Sequence, residues 1–259
     1  MGTPYFRFRQ FTVWHDRCAM KVGTDGVLLG AWAGQERLGK TQENPPRNIL
    51  DIGTGSGLIA LMLAQRFPQA SITGIDCDKD AAMQAKENFT GSPWADRLKA
   101  VRTALQDFCR DTVTAAERFD LIVSNPPFYD NTLTNPDSRR STARHTGGLP
   151  HDELLLLSAG LLTDSGVFSL IVPSESEKSI LRLADRSRLY LHRLTRVYSK
   201  PSPRPRRILA SFGKQPVPSP AEDTLTLTGP DGHRSAEHTA LTQDFYLINN
   251  NQNSLDSLV

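Results

Sequence analysis

The stretch Asn48-Ile49-Leu50-Asp51-Ile52-Gly53-Thr54-Gly55-Ser56-Gly57 decides the fold. Its first five residues are an apolar run of strand length, and its last five are a glycine loop. Leu58 to Arg66 then carries apolar residues at helical spacing and is stopped by Phe67-Pro68. A strand, a tight loop and a helix start together present free backbone N–H groups, and glycines let a ligand approach the main chain closely. The spacing is GxGxG, not the GxGxxG of the dinucleotide fingerprint. Asp51 lies two residues before the first glycine. A carboxylate there would repel a pyrophosphate but suits a ligand with a cationic amino group and no phosphate. A glycine turn with no ligand is the plainer alternative.

Outward from this stretch, strands and helices alternate. Ala70 to Ile75 reads as a second strand, followed by Asp76 and a helix over Lys79 to Phe89. Leu98 to Arg102 is a third strand and Phe119 to Ser124 a fourth. A helix over Asp152 to Leu162, a strand over Gly166 to Val172 and a helix over Glu175 to Arg188 follow. This alternation calls for a parallel sheet with helices on both faces. Tyr190 to Tyr198 and Arg207 to Gly213 then read as two strands with no helix between them, so they pair antiparallel and give the sheet a mixed edge. Thr224 to Thr228 with the Gly-Pro-Asp-Gly turn suggests one more hairpin. The expected parts are an N-terminal segment 1–47, a core 48–215, a hairpin extension 216–248 and a frayed polar tail 249–259.

The totals fit this picture. A chain of 259 residues with 38% hydrophobic content is long enough for one large α/β domain. Cys18, Cys77 and Cys109 are scattered without metal-like spacing, which points to a reducing compartment and to neither a metal site nor a disulfide framework. No apolar run approaches the roughly 18 residues of a membrane helix, so a cytoplasmic protein without membrane contact is expected. The net charge of +2 says little, but its distribution says more. Arg182 to Arg207 holds nine basic residues against one acid, and Arg139, Arg140, Arg144 and His145 form a second group. Such clusters suit a polyanion, through phosphate contacts and counterion release, or are solvated faces.

Two further positions bear on a ligand. Asp76, at the end of the second strand, could accept from both ribose hydroxyls of a nucleoside, or could cap the following helix, a role open to Asp78 as well. Asp107, after the third strand, could accept from an adenine amino group. S-adenosylmethionine carries a nucleoside and a cationic amino group but no phosphate, which fits Asp51 and the loop better than NAD does.

Ser124-Asn125-Pro126-Pro127-Phe128-Tyr129 ends the fourth strand. An amide, two rigid prolines and an aromatic can grip a planar amino group. The Asn carbonyl and the Pro126 carbonyl accept its two hydrogens while Phe128 or Tyr129 stacks on its plane. The same residues could be only a strand-ending turn. Read together, Asp51-Ile52-Gly53-Thr54-Gly55-Ser56-Gly57 and Asn125-Pro126-Pro127-Phe128 resemble the class I methyltransferases, and specifically those that methylate amino groups. The resemblance implies S-adenosylmethionine as cofactor and a Rossmann-like sheet of seven strands, mostly parallel, with an antiparallel last strand. Relatives with the same motif pair act on guanine N2 in ribosomal RNA and on glutamine in release factors, so the motifs fix the reaction more firmly than the substrate.

The N-terminal block narrows the resemblance. Phe6, Phe8 and Phe11 alternate with basic residues and suit a strand with one apolar side, more in keeping with core packing than with base stacking. Thr24 could cap a helix over Asp25 to Ala33. The run Ala19-Met20-Lys21-Val22-Gly23-Thr24-Asp25-Gly26, with Arg144-His145 and Leu241-Thr242-Gln243-Asp244-Phe245-Tyr246-Leu247, is similar to the bacterial tRNA1(Val) adenine N6-methyltransferase family. That family modifies the adenosine following the anticodon. The resemblance implies cofactor contacts from Asp51, Gly53 and Gly55, a ribose contact from Asp76, and catalysis at Asn125 to Phe128. It also implies a pocket lined by Lys21 and Thr24, and tRNA held by the segments around Arg139–Arg144 and Arg193–Arg207. Lys21 could equally be a surface lysine.

Overall fold

The computed structural model of the protein describes residues 3–35, 45–115, 117–127 and 149–247. The chain opens with a two-stranded antiparallel ribbon, Tyr5–Arg7 (β1) and Thr12–Trp14 (β2), and a helix, Thr24–Trp32 (α1). The alternating segment follows: Asn48–Ile52 (β3), Leu58–Arg66 (α2), Ser71–Asp76 (β4), Lys79–Thr90 (α3), Leu98–Arg102 (β5) and Leu105–Ala115 (α4). Next come Phe119–Ser124 (β6), His151–Leu161 (α5), Leu162–Pro173 (β7) and Glu177–Arg186 (α6). Tyr190–Tyr198 (β8), Arg207–Gly213 (β9), Ala221–Thr226 (β10) and Ala236–Thr242 (α7) complete the described chain.

Eight strands form the main sheet in the order β10-β8-β9-β7-β6-β3-β4-β5. β9 runs antiparallel between β7 and β8, and the remaining pairs are parallel. The inserted antiparallel strand is the one the sequence pattern anticipates. The expected C-terminal hairpin takes another form. Ala221–Thr226 pairs parallel with β8 as an eighth strand, and the Gly229–Gly232 turn closes only one antiparallel bridge, Thr228 to Arg234. The difference has a simple cause: β8 is left with an open edge once β9 inserts on its other side, and a strand that covers it satisfies a whole row of backbone groups.

β3 is buried on both faces from Ile49 to Ile52, as a central parallel strand must be, with Asp51 its one charged residue. Ile49 faces a cluster with Leu28, Leu61, Phe67 and Leu121, while Leu50 and Ile52 face Leu154, Leu155 and Ile180. On the first face α1 packs against α2 at very short range: a Cβ on Gly30 would lie 2.7 Å from the Met62 sulfur. The N-terminal aromatics complete this core. Phe8 and Phe11 stack with ring centroids 4.7 Å apart, and Phe8 also meets Tyr246 at 6.0 Å. Arg9 N–H donates to the Phe245 carbonyl at 2.8 Å, so the Phe245-Tyr246 segment locks the N-terminal block in place. Thr24 is the first residue of α1; the cap position is Gly23, and no side chain caps the helix.

Candidate active site

The reversal of strand order falls between β3 and β6, and open α/β sheets bind ligands at such a point. β3 and β6 pair with Ile52 opposite Ser124, and the Ser124 hydroxyl donates to the Ile52 carbonyl at 3.0 Å. The glycine loop after β3 and Asn125 after β6 therefore leave the sheet side by side. Both line one cleft of about 640 Å³, together with Lys21 and Thr24 from the N-terminal block. Asn125 Oδ1 is buried in that wall with no hydrogen-bond partner. An orphaned buried carbonyl oxygen costs free energy, on the order of 1–3 kcal/mol, unless a ligand satisfies it. Pro126 is buried beside it and Pro127 is exposed. Phe128, Tyr129, Arg139, Arg140, Arg144 and His145 lie outside the described residues.

Gly53 and Gly55 have φ of +71° and +54°, a backbone that side chains disfavour, and a Cβ on either would meet nothing within 4 Å. The loop is thus a bare main-chain cradle. Gly53 and Thr54 donate their N–H groups to the Ile75 carbonyl at 2.9 and 3.0 Å, and Gly55 N–H donates to Asp76 Oδ2 at 2.9 Å. Asp76 Oδ1 accepts from Asp78 N–H at 2.9 Å. Burial raises the Asp76 pKa, and these two backbone donors oppose the rise. The helix-cap role goes to Asp78, whose carboxylate accepts from Asp80 and Ala81, which leaves Asp76 to orient the loop.

Asp51 lies beneath the loop, fully buried. Its Oδ2 accepts the Thr54 hydroxyl at 2.7 Å and its Oδ1 has no hydrogen-bond partner. Loss of solvation, helped by the nearby Asp76 charge, pushes its pKa up to about 7, against the pull of the Thr54 hydroxyl and the Ala60 backbone N–H. Thr54 is a wall residue of the cleft, so Asp51 is one side chain removed from it. Asp107 sits in the first turn of α4, half-exposed and paired with Arg110; neither it nor Asp76 is among the residues that line the cleft, but Asp76 bonds Gly55, which is.

Asn88 is a contributor the sequence alone did not reveal. Its side chain accepts from Trp14 N–H at 3.0 Å and donates to the Trp14 and Ser56 carbonyls at 2.8 Å each. One amide thus ties the N-terminal ribbon to the glycine loop. Asn88→Ala is expected to destabilise the fold by about 2 kcal/mol, because three main-chain groups lose their partner. Urea denaturation checks this; an unchanged midpoint would mean the ribbon is held elsewhere.

The basic run from Arg182 to Arg207 is divided in use. Arg193 bonds Asp223 at 2.7 Å and lies over the Trp32 ring, while Trp32 Nε1–H donates to Thr195, which donates to Asp223. Arg196 pairs with Glu177 and Glu222, and Arg207 with Asp25 at 2.8 Å. These arginines fasten β8 and β9 to α1, α6 and β10. Arg206 is exposed and forms part of the cleft wall, and Arg204 is exposed on the preceding loop. Among the described residues neither pairs with an acid.

Known proteins agree with this geometry. The model of the methyltransferase small domain family matches residues 35–143. A solved structure described as a predicted O-methyltransferase from Agrobacterium tumefaciens shares the fold, with a TM-score of 0.65 at 17% identity over 85% of this chain and 96% of its own. Fold and site together define a class I S-adenosylmethionine-dependent methyltransferase. Two curated relatives bear the name tRNA1(Val) (adenine(37)-N6)-methyltransferase. The protein from Phocaeicola vulgatus is 47% identical over 95% of this chain and 99% of its own. The one from Parabacteroides distasonis is 45% identical with the same coverage. The chain belongs to this tRNA1(Val) (adenine(37)-N6)-methyltransferase family.

Proposed function

We propose that this enzyme methylates N6 of an adenosine in the anticodon loop of a tRNA, the adenosine following the anticodon of tRNA1(Val), in the cytoplasm. The observation that carries the reading is the buried, unpartnered Asn125 Oδ1 on the wall of the cleft that holds the glycine cradle. S-adenosylmethionine supplies an electrophilic methyl group when bound. Gly53 and Gly55 offer main-chain contact to it, Asp76 a ribose acceptor, and Lys21 and Thr24 the opposite wall. Asn125 Oδ1 and the Pro126 carbonyl accept the two amine hydrogens, which turns the nitrogen lone pair out of the ring and towards the methyl group. Phe128 or Tyr129 stacks on the base. Positioning supplies much of the rate, and no strong base is needed before attack. The adenosine must leave its stack to enter, which costs least in a single-stranded loop.

Mass spectrometry of nucleosides from tRNA incubated with the protein and methyl donor tests the reading. N6-methyladenosine in tRNA is expected. Methyl groups found on ribosomal RNA guanine or on a release-factor glutamine instead would overturn it. The free arginines supply a second check. Arg204→Ala with Arg206→Ala is expected to weaken tRNA binding and lower the slope of log affinity against log salt by about two, one for each lost phosphate contact. Filter binding across a salt series measures it, and an unchanged slope removes this loop from the tRNA surface.

A further inference from the structure

The ribbon turns its inward face, Phe6 and Val13, to the core and leaves a second face in water. The register places Tyr5 opposite Trp14 and Arg7 opposite Thr12 on that outer face. Tyr5 is 41% exposed and Trp14 47%, with ring centroids 5.0 Å apart and the planes tilted by 52°. Two large aromatics held together in solvent are costly unless something covers them. Arg7 is exposed beside Tyr5, and the Arg9 guanidinium beyond it donates to the Gln243 carbonyl and, among the described residues, pairs with no acid. The ribbon is also close to the chemistry. Trp14 is bonded through both its N–H and its carbonyl to Asn88, and the same amide holds Ser56 in the cleft wall.

We infer that Tyr5 and Trp14 form a stacking platform for an unpaired base of the RNA substrate, a loop nucleotide near the one that enters the cleft, with Arg7 and Arg9 on its phosphates. The inference rests on the RNA reading above. Aromatic faces accept any base, and a flanking arginine adds charge complementarity to a polyanion, which an apolar protein partner would not use.

The test uses the whole protein with tRNA and with a stem-loop of the anticodon arm. Tyr5→Ala with Trp14→Ala is expected to raise KM for tRNA about tenfold, change kcat less than twofold and leave cofactor affinity by calorimetry unaltered. Trp14→Phe, which keeps a ring, should retain most of the affinity. RNA should quench tryptophan emission in the wild type and less in Trp14→Phe, where the remaining emitters are Trp32, which is buried, and Trp94, which is partly buried against Phe11. An unchanged KM, or quenching as strong in Trp14→Phe as in the wild type, overturns the platform. So does a change of oligomeric state in the double variant at unchanged RNA affinity, which assigns the patch to a second copy of the chain. Quenching by RNA in a wild type that fails to methylate tRNA would sustain the platform and sink the substrate reading.

Discussion

Asn125→Ala is expected to lower kcat by about 10²–10³-fold while the dissociation constant of the methyl donor and the fold stay nearly unchanged. The reasoning starts from the free protein, where Asn125 Oδ1 is buried with no partner. Truncation removes an unsatisfied acceptor, so the folded state loses no hydrogen bond from that atom. What is lost is the group that holds the reacting amine. Rigidity around it raises its worth: the Ser124 hydroxyl fixes the strand end to Ile52, and Pro126 restricts both its own φ and the backbone of Asn125. Asn125→Asp keeps an acceptor of the same shape and should fall between the two. Single-turnover methyl transfer, with calorimetry of donor binding beside it, separates chemistry from binding. Near-normal turnover in the alanine variant would end the proposed role.

Some of this site was legible in the sequence and some was not. β3 and β6 are continuous apolar runs ended by a glycine loop and by Asn-Pro-Pro, so both strand ends could be read from local pattern. That the two ends are neighbours is a pairing between residues 72 apart, and local pattern does not fix the order of strands in a parallel sheet. The arginines between Arg182 and Arg207 show the limit. As a sequence they form one basic block; in the fold Arg193, Arg196 and Arg207 meet Asp223, Glu177, Glu222 and Asp25, acids far along the chain. Charge counting cannot see such partners. Asn88 was hidden for the same reason, because its partners are main-chain atoms of Trp14 and Ser56. α7 has only seven residues, too few for a helical period to stand out. In the ribbon and its turn, Phe6, Phe8 and Phe11 pack inward, as their pattern suggested, whereas nothing in the sequence marked Tyr5 and Trp14 as the aromatics that face water.

Asp51 gives the second large effect, through pH. In the folded protein without cofactor it holds its proton to about pH 7, against the ordinary value of 3.8. Between those values the folded state binds more protons than the unfolded chain, so stability falls as pH rises from about 4 to about 7 and then levels off. Asp51→Asn removes the titration. The variant should match the wild type near pH 4 and exceed it by about 3 kcal/mol at pH 8, since a buried neutral amide is less costly than a buried ionised carboxylate. Subtracting the two denaturation profiles cancels the titrating groups that do not interact with Asp51; Asp76, whose charge adds to the rise of the Asp51 pKa, stays in the difference. Cofactor affinity should change in the opposite sense. An ionised Asp51 beneath Thr54 favours a cationic amino group in the cleft, so wild-type affinity should climb through pH 7 and the variant's should be lower and flat. Stability profiles that run parallel from pH 4 to 8 would show that Asp51 is ionised throughout. The buried carboxylate would then be a fixed charge under the loop, held by the Thr54 hydroxyl and the Ala60 backbone N–H. On the pattern expected here, the same buried acid weakens the empty protein at neutral pH and strengthens its hold on the methyl donor.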